Sequence, residues 1–114
     1  YLTVPSAIKF LDQNNWESIK EECQKKIIES KNILLDTLNT EPICSNIFLG
    51  QMASLQINVP NSMDLYNYLK NNNIVVPIID WNGLVFVRIS YQCYNSINDI
   101  EHLNHYLKKY LDSI

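Results

Sequence analysis

The chain has 114 residues and a formal net charge of −3 from 9 Lys+Arg against 12 Asp+Glu, with 46% hydrophobic and 18% charged residues. This length holds one domain, the apolar fraction excludes a disordered segment, and an acidic balance without a Lys/Arg run argues against a nucleic-acid partner. The longest apolar runs fall far short of the roughly 20 residues that cross a bilayer, so no membrane partner is expected.

Pro5 stands where a helix can start, and Ile8 with Leu11 form a short apolar face ending at Asn14-Asn15. Asn14 and Glu17 then have capping-box spacing. Trp16, Ile19, Cys23, Ile27, Ser30, Leu34 and Leu38 recur every three or four residues, which predicts one long amphipathic helix ended by Thr40-Glu41-Pro42. On its exposed face Glu21 pairs with Lys25, and Glu22 with Lys26, at i,i+4. Ala53, Leu55, Ile57 and Val59 alternate with polar residues up to Pro60-Asn61, the period of a strand with one buried face. Ser62 can cap a third helix with Asp64 in its first turn and Leu65, Tyr66 and Leu69 facing inward. Residues 74–79 and 84–90 are β-branched runs joined by Asp80-Trp81-Asn82-Gly83, and Asn-Gly between such runs predicts a hairpin. Ser96, with Asp99 three residues on, opens a last helix whose Ile97, Ile100, Leu103, Leu107 and Leu111 face the core.

The order α-α-β-α-β-β-α puts a right-handed crossover before a hairpin, leaving a slot between strands one and two for strand three. Pro77 has no amide to donate and suits an edge, so strand two lies outside and strand three, with Arg88, in the centre. The expected fold class is α+β: a three-stranded antiparallel sheet of order 1-3-2 with helices packed on one face. A helical lead-in covers 4–39 and a β-α-β-β-α core covers 51–114. Leu55, Ile57, Val85, Val87, Ile89, Leu103 and Leu107 supply that core. The helix around Ile8, Phe10 and Leu11 and the sheet face carrying Phe86 and Arg88 have no cover within the chain, so self-association is expected.

Arg88 is the sharpest anomaly, because a cation at a sheet centre is costly unless paired. Its fork suits a carboxylate, which Asp80, Asp99 or a substrate can supply. His102 and His105 are three apart without a companion cluster and read as solvated helix residues, so no metal site is expected. Cys23, Cys44 and Cys93 are odd in number and form no CxxC pair, which favours inert thiols in a reducing, cytoplasmic setting. Cys44 has no evident base or cation nearby in sequence. Tyr91, Tyr94, Tyr106 and Tyr110 read as packing residues with exposed hydroxyls. Gly50 and Gly83 are too few for a phosphate loop, and the lysines fall mainly on polar helix faces or helix ends, none resembling a Schiff-base lysine. The chain opens Tyr-Leu-Thr-Val with neither initiator Met nor signal pattern, which suggests a piece of something longer.

Four stretches together carry a family resemblance: Val4-Pro5-Ser6-Ala7-Ile8-Lys9-Phe10-Leu11, Gly50-Gln51-Met52-Ala53, Val75-Val76-Pro77-Ile78-Ile79-Asp80-Trp81-Asn82-Gly83 and Val87-Arg88-Ile89-Ser90-Tyr91-Gln92-Cys93-Tyr94-Asn95. The chain resembles, from about Tyr1 to Leu111, the C-terminal small domain of class V aminotransferase-like pyridoxal-phosphate enzymes, a fold-type I group, in the isopenicillin N epimerase-like branch. Residues 1–114 are then a single small domain with the catalytic large domain upstream. The resemblance implies that Arg88 binds the carboxylate of an amino acid substrate and that Asn95 is structural. It also implies that pyridoxal 5'-phosphate, its lysine and most phosphate contacts belong to the large domain. This chain then carries no catalytic, cofactor-binding or metal residue and is inactive alone, within a cytoplasmic homodimer of epimerase, transaminase or lyase type. The tight turn at 80–83 lacks the cysteine of a desulfurase. The alternative is a stand-alone non-catalytic ligand-binding or dimerisation module of α+β plait type.

Overall fold

The computed structural model describes residues 2–114. In chain order these form α1 (Val4–Gln13), α2 (Trp16–Leu38), a 3-10 turn at Asn46–Phe48, β1 (Met52–Ile57), α3 (Ser62–Asn71), β2 (Ile78–Trp81), β3 (Leu84–Ser90) and α4 (Ile97–Ser113). The sheet is antiparallel throughout and ordered β1-β3-β2, as expected. Because period-2 alternation sends neighbours to opposite faces, Val87 and Ile89 on β3 and Ala53, Leu55 and Ile57 on β1 are buried beneath the helices. Ile27, Leu34 and Leu38 from α2, Leu65 and Leu69 from α3, and Leu103 and Leu107 from α4 complete one core. Val85 is half-buried at its margin. The opposite sheet face is open, with Arg88 exposed, Phe86 half-buried and Trp81 67% exposed.

The segment boundaries differ from expectation where a polar side chain has two possible uses. Asn14 does not cap α2: its amide donates back to the Phe10 carbonyl at 2.8 Å, closing α1. Asn15 starts α2 instead, in the left-handed region at φ 56° and without a side-chain cap. Likewise α2 ends at Asn39, also left-handed at φ 52°, before Thr40-Glu41-Pro42 is reached. Its ion pairs are Lys20–Glu17 and Lys26–Glu29 at 3.2 and 3.3 Å, not the i,i+4 pairs read from the sequence.

Asn61, not Ser62, caps α3, accepting from the Met63 and Asp64 amides at 2.9 and 3.2 Å. β2 begins only at Ile78, because Ile74 is drawn into the core, its amide bonded to the Leu69 carbonyl. Pro77 still accepts from the Arg88 amide at 3.1 Å, an edge role that needs no donor. Asn82 and Gly83 have φ 51° and 78°, the two positive angles that a type I′ hairpin requires. Ser96 and Asp99 form the expected capping box on α4.

α1 contributes no buried residue. It stands off the rest, and the radius of gyration is 16.1 Å. A compact domain of this length would have about 13 Å.

Candidate functional site

Arg88 is the sole arginine of the chain. It lies on the central strand opposite Ser54 of β1. Burial of Val87 and Ile89 under the helices turns Arg88 to the open face, where it is exposed. Both carboxylates that the sequence offers it are used elsewhere: Asp80 accepts from the Ser62 hydroxyl, and Asp99 accepts from the Ser96 amide at 3.0 Å and the Asn95 amide group at 3.4 Å. Neither ion pair among the described residues includes Arg88. The structural ion pair with Asp80 or Asp99 is therefore not formed, because each aspartate is closer to a local donor.

Two open grooves meet at Arg88. The larger, about 360 Å³, runs between the 73–77 segment and the start of α4, and includes Tyr94, Asn95, Asp99 and His102. Asn95 accepts from the Gln92 amide at 2.9 Å and so holds the turn before α4. Tyr94 departs from the packing role expected of it, being 82% exposed on this groove. Tyr91 and Tyr110 are buried. His102 and His105 flank the Tyr106 ring at centroid distances of 5.0 and 5.2 Å. Among the described residues no group of three or more His, Cys, Asp or Glu converges as a metal centre.

The smaller groove, about 230 Å³, wraps the start of edge strand β1 and is lined by Lys31, Cys44 and Ser54 as well as Arg88. Lys31 is the functional-looking residue that sequence reading missed. It is buried at 7% exposure, with its ammonium donating to the side-chain oxygen of Asn46. The signal was present, since Lys31 continues the 27, 34, 38 stripe at spacings of four and three that put a residue on the core side of α2. Cys44 likewise has cations in its groove that no sequence neighbour announces.

No family model matches the sequence, and no curated protein matches it. Among solved structures, 8-amino-7-oxononanoate synthase from Francisella tularensis is similar to it, with a TM-score of 0.68 and 21% identity. The similarity covers 91% of this chain and 31% of that one. The fold recurs within a larger enzyme. The described residues do not by themselves fit pyridoxal phosphate. Gly83 is committed to the hairpin, and Lys31, the lysine in the grooves at Arg88, is tied to Asn46.

Proposed function

We propose that the chain is the small domain of a pyridoxal-phosphate-dependent enzyme acting on an amino acid, in which Arg88 holds the substrate carboxylate. The observation that carries the reading is an exposed arginine on the central strand, at the meeting of two grooves, with no carboxylate partner among the described residues. A guanidinium donates two parallel N–H bonds to a carboxylate, which binds it and fixes its plane. Orientation matters because a substrate displaced by an ångström loses much of its rate. Seating on a strand makes Arg88 more rigid than a loop residue would be, since its backbone is bonded on both sides.

Support comes from two directions. The sequence resembles the small domain of class V aminotransferase-like pyridoxal-phosphate enzymes around Arg88, and the fold is similar to part of a larger enzyme, an 8-amino-7-oxononanoate synthase. The isopenicillin N epimerase-like branch, the homodimer and the cytoplasmic setting rest on the sequence resemblance alone. A desulfurase is disfavoured, because β2 ends at Trp81 and β3 starts at Leu84, leaving only Asn82 and Gly83 between them.

In the enzyme that contains this chain, Arg88→Lys replaces a fork by a point charge. It is expected to lower kcat/KM by about tenfold to a hundredfold while the cofactor absorbance stays unchanged. The competing reading, a stand-alone dimerisation module, draws on the exposed apolar side chains of α1. It requires that the protein turn over no amino acid, with or without Arg88→Lys.

A further inference from the structure

The groove at β1 contains a second cation that the reading of Arg88 does not use. Lys31 of α2 and Arg88 of β3 both line it, together with Met52, Ala53 and Ser54 of edge strand β1. A lysine this buried ordinarily has an anionic partner. Here no carboxylate lines the groove, and neither ion pair among the described residues includes Lys31. An ammonium has three donors. Asn46 accepts one, which leaves two without a protein acceptor among the described residues. Ile43, Leu49 and Met52 give the groove an apolar wall, and Ser54 stands opposite Arg88 in the sheet register. The wall is anchored to the same helix as Lys31, since Gln24 donates to the Leu49 carbonyl at 2.8 Å.

Two cations lining one groove that also has an apolar wall complement a short chain with an anion at each end. We propose that this groove binds a small dicarboxylate, one carboxylate on Arg88 and the other on Lys31, so that the substrate is an amino acid with an acidic side chain. The inference rests on the assignment of Arg88 to a carboxylate and adds Lys31 as the residue that selects the second charge.

Nuclear magnetic resonance titration of the full chain with glutarate and with pentanoate tests it, because the two have the same carbon count and differ in one charge. Glutarate is expected to bind about tenfold more tightly or better. Lys31→Met, which keeps the stem and removes the charge, should bring the two affinities together by weakening glutarate alone, and Arg88→Gln should weaken both. Equal affinities in the wild-type chain overturn the inference without needing any variant to fold. If Arg88→Gln still weakens both ligands in that case, the carboxylate role of Arg88 survives and Lys31 merely pins the loop through Asn46. If Arg88→Gln changes neither affinity, the reading of Arg88 fails and the inference falls with it.

Discussion

Residues that can make one of two polar contacts decide much of this molecule. Arg88 could be read as anomalous from its strand alone, but whether Asp80 or Asp99 neutralised it depended on which donors lay nearer in space. Lys31 was hidden for the opposite reason: its type suggests solvent, while its position on α2 places it at the core margin. Tyr110 is a third case. Burial first, and then the negative charge of Asp64, push its phenol above the ordinary value of 10.0. In the unfolded chain the group ionises at that ordinary value, whereas the folded chain keeps its proton longer. The unfolded state then binds fewer protons, so stability falls with rising pH. The contribution is fully present below pH 10.0 and is lost as pH rises through the higher folded value. Urea melts between about pH 8 and pH 11 should show a steeper loss for the wild type than for Tyr110→Phe.

At the level of elements, the strands, the crossover and the hairpin were legible because each rests on a period or on a turn that few residues can make. Gly83 at φ 78° is such a position. Gly83→Val should cost more than about 1 kcal/mol, because a β-branched side chain resists that region, and the midpoint of urea unfolding measures it. Helix ends were less legible, since Asn14, Asn15, Asn61 and Ser62 are all competent caps and adjacent residues compete. The structure resolves that competition at α3 in favour of Asn61, whose oxygen takes two amide donors. Asn61→Ala is therefore expected to destabilise by about 1 kcal/mol, and Ser62→Ala by less, in the same measurement. The start of β2 is not legible, because 74–79 is apolar throughout, and a run without alternation does not show which residue leaves the sheet for the core.

For the whole molecule, the core is independent of the leading helix, and that separation is testable. Ile8 and Phe10 of α1 are 55% and 58% exposed, and α1 buries nothing. Replacing both with Lys should change unfolding free energy by less than about 0.5 kcal/mol per site, yet reduce self-association in sedimentation. By contrast Leu107, at 0% exposure, should cost about 2–5 kcal/mol when cut to Ala. The exposed apolar side chains of α1 are the surface on which that association is expected. Carboxylate binding at Arg88 is open to a direct test on the chain itself. Because Arg88 is the only arginine, its side-chain Nε–H gives a single resonance in a nitrogen-15 correlation spectrum. Titration with pentanoate should shift that resonance saturably, and the uncharged pentanamide should leave it in place. Equal shifts with both compounds, or none with pentanoate, would contradict the account.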